Sequence, residues 1–394
     1  MTPEATVGLP EQLAAAVATV ATLEPGDAFD PAIPAAIVAS GLHTAAVPTA
    51  FGGAGAGMSE VVAILTALGA VDGASALGFA MHLHVTGAAA RSTVWPPELR
   101  ERLLRAVVDT GALINAASTE EGGGSPARGA IPGTIATPDL TDGSAATAGS
   151  WRLSGEKTWT TWLPALRFAL VSARIAGPAD PPQIGIFLVD LESPGVERRA
   201  GFEAMGMRGS ASGRLRMTDV VVPGDALVLR RSIAEPDPRG PVPGAWFAIA
   251  IASTYLGVGE GARDAVARWA LDRRPGDGTT AVADLPTIQL RLGRLDAALR
   301  AARIVLEDVA RRWDAATDEA ARRALESDLT LAKLTATNAA VTATDEALRI
   351  AGGPGFLTGP LERAFRDARA GLINPPLDDV ALTGFGRSVV ARHR

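Results

Sequence analysis

The run STEEGGGSP (118–126) sets three consecutive glycines between hydroxyl residues. Glycines let backbone N–H groups approach a ligand closely, and Thr119 and Ser125 supply hydroxyl donors beside them. Such a nest suits a phosphate or the electron-rich edge of a ring, although a hairpin turn has the same composition. In GEKTWTTW (155–162), strict strand alternation puts Trp159 and Thr161 on one face. An indole wall beside a hydroxyl is what a flat heteroaromatic molecule needs, and a core Trp among β-favouring threonines is the plain alternative. MGMRGSAS (205–212) offers a Met- and Gly-bearing loop with one fixed cation, or a surface turn.

Other stretches carry weaker signals. His82 and His84 in MHLH would face one way on a strand, but no third ligand stands at metal-binding spacing, which favours packing or hydrogen bonding. LGVGEGA (256–262) fits a loose dinucleotide fingerprint inside a long apolar helical stretch, without the strand–turn–helix setting that motif requires. The stretch RDARAGLINPPLDD (366–379) has the look of a functional loop. Between Asp367 and Asp378, however, it holds no carboxylate, His, Ser or Cys.

These residues must be positioned by a chain of 394 residues, long enough for two or three domains. Hydrophobic content of 47% supports large cores, and a net charge of −6 argues against nucleic-acid binding. Without cysteine there is no disulfide, thiolate nucleophile or Cys-ligated metal. The N-terminus lacks signal-peptide features, and AWFAIAIASTYLGV (245–258) is shorter than a membrane span, so a cytoplasmic protein with no membrane partner is expected. Helical patterning over 1–112, with Leu13, Val17 and Val20 on one face, gives way over 113–240 to short β-type runs. Over 241–394 the helical pattern returns. Leu285, Ile288, Leu292, Leu295, Leu299, Ala302, Leu306, Val309 and Trp313 form one seam. A second helix, 318–350, presents Ala321, Leu325, Ala332, Ala336, Ala339 and Ala343.

Taken in order, five stretches resemble the acyl-CoA dehydrogenase superfamily across nearly the whole chain. They are VPTAFGGAGAG (47–57), ASTEEGGGSP, SGEKTWTT, GMRGSASGRLRMTDVVVP and AGGPGFLTGPLERAFRDAR (351–369). The resemblance implies an α+β multidomain fold: an N-terminal α-helical domain, a middle β-barrel and a C-terminal four-helix bundle. It implies a flavin between barrel and bundle, FAD by preference, with FMN or diffusible reduced flavin as alternatives. Thr119 would donate to the ring edge, Ser125 would lie near the phosphates, Trp159 would wall the ring, and Thr161 would reach its central nitrogen. Gln289, Gly352 and Gly353 would contribute further cofactor contacts. A homodimer or homotetramer is implied, together with an electron-transfer or flavin-reductase partner.

The departures matter as much. Relatives carry a catalytic Glu a few residues after the Arg-Asp-Ala-Arg run, a position that falls here on Pro375. Others carry it on an earlier bundle helix, where this chain has Phe247, followed by Ala248 in place of the usual Arg. The Arg-x-x-Phe contact to adenine is missing from DRRPGDGTT (272–280). Three functions follow as expectations. The first is oxidation of a Cα–Cβ bond in an acyl thioester on CoA or a carrier protein, with Asp378 or Asp379 as displaced base. The second is a flavin monooxygenase using reduced flavin and oxygen, with Asn374, His82 and His84 as candidates for the polar group. The third is a non-catalytic flavin- or acyl-binding subunit.

Overall fold

The computed structural model describes residues 8–122, 130–139, 149–276 and 278–394. Five helices come first: α1 (Leu9–Thr22), α2 (Ala32–Ala39), α3 (Met58–Val71), α4 (Gly73–Ala90) and α5 (Pro97–Thr110). Local chemistry sets their ends. Asp72 caps α4 by accepting from the Ser75 N–H at 2.8 Å, and α5 opens on Pro97 and stops at Gly111 with φ 69°. His82 and His84 lie on α4 and not on a strand, so helical rotation sends them to different neighbours. The run of Ala, Gly, Leu and Val around MHLH suits either element, and burial on nearly all sides decided for a helix.

Among the described residues eight strands follow: β1 (Ile114–Ala117), β2 (Ile135–Pro138), β3 (Trp151–Thr160), β4 (Phe168–Ile175), β5 (Gln183–Asp190), β6 (Val196–Arg199), β7 (Gly213–Val222) and β8 (Leu227–Ser232). They form one sheet in the order β6-β7-β3-β2-β4-β5-β8, with β1 parallel to β4. The β3–β7 ladder slips register between Lys157 and Thr160, and Trp159 sits in that slip with φ 58°. The bulge interrupts the two-residue alternation assumed from the sequence. Trp159 is 54% exposed, whereas Thr161 is buried.

The last part begins with α6 (Val242–Asp272) and continues through α7 (Pro286–Ala315), α8 (Glu319–Ala324), α9 (Glu326–Ala351), α10 (Gly353–Phe356), α11 (Pro360–Ile373) and α12 (Asp378–Ala391). Helices α6, α7, α9 and α11 pack together as a bundle. The α7 seam is buried from Leu295 to Trp313, while Leu285 at its start is 39% exposed. The expected 318–350 helix is two helices broken at Leu325, which leaves Ala321 exposed on the short first piece.

LGVGEGA lies within α6, and its glycines serve close packing. A Cβ at Gly257 would meet the Thr66 carbonyl oxygen at 2.4 Å, and one at Gly261 would meet that of Ala70 at 2.3 Å. Helix α6 is long and apolar enough to cross a membrane, yet 78% of its apolar window is buried inside the protein.

Candidate active site

The site is built where the C-terminal end of β1, helix α4, the start of α6 and the turn before α12 converge. A cavity of about 570 Å³ opens there. Its walls include Met81, Val85, Trp95, Leu170, Leu377 and Val380, with Ser92, Asn115, Ser118, Thr119, His84 and Arg239 as polar members. Phe247 and Pro375, the two positions onto which the family resemblance maps a catalytic Glu, stand in the same wall. Ala248 and Pro376 adjoin them. Among the described residues, no carboxylate lines this cavity.

His84 packs edge-on against Phe247, with ring centroids 5.5 Å apart and planes at 82°. Burial pushes its pKa down to about 4, against a weaker upward pull from the Ala80 and Met81 carbonyls, so the ring is neutral at pH 7. His82 turns away from the cavity. Its Nε2 donates to the His43 carbonyl at 2.8 Å, which leaves Nδ1 to accept the Ile114 N–H at 3.2 Å. Burial lowers its pKa to about 3. It is a hinge pin between α4 and the first strand. Arg239, half-buried at the cavity edge, is held by the Asp237 carboxylate at 2.6 Å.

The two acid candidates and Asn374 are placed elsewhere. Asn374 ends α11, and its Nδ2 donates to the Ala370 carbonyl at 2.8 Å and to the Tyr255 hydroxyl at 3.0 Å. Asp378 accepts from Asn338 Nδ2 at 2.8 Å and lies 3.7 Å from the Lys333 ammonium. Lys333 is buried and also donates to the Pro376 carbonyl at 3.0 Å, so Asp378 and Lys333 secure the Pro-Pro turn. Asp379 is exposed in the first turn of α12. None of these three lines the cavity.

The proposed flavin contacts divide similarly. Thr119 lines the cavity, and its carbonyl accepts the Thr158 N–H at 2.9 Å, which ties the end of β1 to β3. Thr161 is joined to the cavity through Asn115, whose Nδ2 donates to the Thr161 carbonyl at 3.1 Å. Trp159 stands off the sheet edge-on to Phe202 at 5.5 Å. Gln289, Gly352 and Gly353 are exposed on the bundle and do not line the cavity. Ser125 lies outside the described residues.

Sequence reasoning passed over a buried ion pair that joins β3 to the segment following β1. Lys157, fully buried, donates to Glu120 at 2.5 Å, and Glu120 also accepts from the Thr134 hydroxyl at 2.7 Å. Burial works to raise the Glu120 pKa, but the hydrogen bonds from Lys157 and Thr134 outweigh it and hold the carboxyl below its ordinary value. A Lys two residues before a Trp, in a chain with only two lysines, was the available signal. Asn115, Ser118 and Arg239 were also missed, because nothing in their immediate neighbours marks them.

The residues present fit a flavin. A mostly apolar cavity with the strand-end hydroxyls of Ser118 and Thr119 in its wall has room for a planar ring, while the exposed indole of Trp159, in a left-handed backbone conformation, stands outside that lining. When bound, that group would supply the electron transfer that no side chain here can perform.

Comparison with known proteins agrees across the chain. Models of the N-terminal, middle and C-terminal domains of acyl-CoA dehydrogenase match residues 10–111, 115–220 and 249–373. The putative acyl-CoA dehydrogenase YdbM of Bacillus subtilis (strain 168) is 33% identical, covering 87% of this chain and 85% of its own. The amino sugar nitrososynthase RubN8 of Streptomyces rubradiris is 29% identical over 85% of this chain and 77% of its own. In fold, the chain matches TdsC from Paenibacillus sp. A11-2, solved with FMN and indole. The TM-score is 0.81 at 21% identity, over 98% of this chain and 96% of that one.

Proposed function

From the premise that this chain belongs to the acyl-CoA dehydrogenase family, we propose that it is a flavin-dependent monooxygenase acting on a largely apolar small molecule. One observation carries the reading: Phe247 and Pro375 occupy the wall where a base would stand, and no carboxylate lines the cavity among the described residues. Removal of an α-proton without a positioned base forfeits roughly 10²- to 10⁴-fold in rate. Asp378 does not fill the gap, since its carboxylate is engaged with Asn338 and Lys333.

Oxygen transfer asks for something else: a dry, apolar enclosure with a few neutral polar groups. His84, neutral at pH 7, with Asn115, Ser118 and Thr119, provides that set. Thr119, Thr161 and Trp159 would hold the ring. FAD is the flavin the family resemblance favours, and the missing adenine contact leaves room for FMN or diffusible reduced flavin from a separate reductase. Gln289, Gly352 and Gly353, remote from the cavity of their own chain, would reach flavin only in a homodimer or homotetramer. A cytoplasmic setting completes the proposal.

The second reading, Cα–Cβ oxidation of an acyl thioester, is supported by the 33% identity to a putative acyl-CoA dehydrogenase. Rapid mixing of the anaerobically reduced flavoprotein with oxygen separates the two. Monooxygenation predicts an absorbance transient distinct from both reduced and oxidised flavin. A single-step return to oxidised flavin, together with bleaching by an acyl thioester, would establish the dehydrogenase instead.

A further inference from the structure

Behind Thr161 lies a chain of three buried hydroxyls. Thr161 Oγ1 is 2.9 Å from Ser212 Oγ, which is 2.9 Å from Ser210 Oγ. Exposure falls along it, from 7% at Thr161 to 5% at Ser212 and 0% at Ser210. No other hydrogen bond is made by these three oxygens among the described residues.

Each hydroxyl owns one proton, so the two links can be arranged in only three ways. If Thr161 donates to Ser212 and Ser212 to Ser210, the Ser210 proton is stranded in the core. If Thr161 and Ser210 both donate to Ser212, the Ser212 proton is stranded. Only when Ser210 donates to Ser212, and Ser212 to Thr161, does the surplus proton fall on Thr161, the outermost of the three. A buried donor without an acceptor is strongly disfavoured, and only the third arrangement leaves the surplus proton where a bound ring could accept it, so that arrangement prevails once the ring is in place.

We infer that Ser212 and, behind it, Ser210 are positioning residues that hold Thr161 as a hydrogen-bond donor toward the flavin ring. This rests on the flavin reading above and adds to it the direction of the bond. Donors in series polarise one another, so the chain strengthens the O–H that Thr161 presents. The loop carrying the serines is itself pinned. Met207, with φ 54°, donates its N–H to the buried Asp367 of α11, and the Ser210 carbonyl accepts the Trp162 N–H at 2.8 Å.

A donor at that place favours oxidised flavin, whose ring nitrogen offers a lone pair where reduced flavin carries an N–H. Weakening the donor therefore makes reduction easier. The test is the two-electron midpoint potential of the flavin-loaded protein, with FAD or FMN, whichever the wild type retains. Ser212→Ala should favour the reduced form about tenfold, a shift of about +30 mV. Ser210→Ala should shift it the same way by less, and Ser212→Thr should remain near wild type.

A negative shift in Ser212→Ala would reverse the assigned direction. No shift, or a Ser212→Thr variant that behaves like Ala, would reduce the serines to packing. Should Ser212→Ala fail to retain flavin, Ser210→Ala against Ser212→Thr decides by the same signs. A wild type that takes up neither flavin overturns the functional reading itself. A wild type that does, with potentials indifferent to Ser212, overturns this inference alone.

Discussion

Two histidines separated by one leucine show how much a single position can differ from its neighbour. His82 spends both ring nitrogens on backbone groups from other elements, while His84 faces the cavity against Phe247. Both are held neutral by burial, with pKa values of about 3 and about 4 against an ordinary 6.5. The sign of the pH effect follows. Between those values and 6.5 the unfolded chain binds protons that the folded chain does not, so stability falls as pH drops below about 6.5. Asp367 opposes this, since burial, chiefly, raises its pKa to about 6 and the folded state then binds the extra proton below that point. Two histidines outweigh one carboxyl. Denaturant midpoints measured from pH 7.5 down to pH 5 should decline, and the variant pairing His82→Asn with His84→Asn should flatten the decline. An unaltered slope in that variant would move the acid sensitivity to other groups.

At the scale of elements, α4 joins the N-terminal helices to α6 and to the first strand. Its glycines admit two tryptophans. A Cβ at Gly78 would lie 2.0 Å from the Trp162 ring, and one at Gly87 would lie 2.2 Å from that of Trp246. Trp162 immediately follows Thr161, so the fit at Gly78 helps set the end of the strand that carries the proposed flavin contact. Replacing Gly78 by Ala gains up to about 1 kcal/mol in helix propensity. The overpacking it forces costs more, about 1–3 kcal/mol, because a fully buried indole has no free space to retreat into. Gly78→Ala should therefore lower the denaturation midpoint and alter tryptophan fluorescence. A gain in stability would show that the indole can move without cost.

Across the whole molecule, a few long-range contacts join the parts. Asp314, near the end of α7, caps the start of α3 by accepting from the Met58 N–H at 2.8 Å, the Ser59 N–H at 2.9 Å and the Ser59 hydroxyl at 2.7 Å. Asp314→Ala should cost about 0.5–2 kcal/mol, as loss of a helix cap does. It should also speed proteolysis of the 48–57 loop that leads into α3. An unchanged cleavage rate would mean that the loop is held by its own contacts.

The order helices–strands–helices was legible because periodicity and turn residues are local. The five motifs were legible because their spacing is covalent. Counting along the chain also gave Pro375 and Phe247 as the positions where the resemblance would put the usual Glu, an assignment made from spacing alone. What counting could not do was measure distance through space. Only the tertiary structure placed Phe247, Pro375, His84 and Thr119 around one cavity. Only the structure occupied Asp378 with Asn338 and Lys333, turned Trp159 out of strand alternation through a bulge, and lined three hydroxyls behind Thr161. Residues tens to hundreds of positions apart meet through packing and backbone register. Their neighbours in the chain carry no record of those meetings.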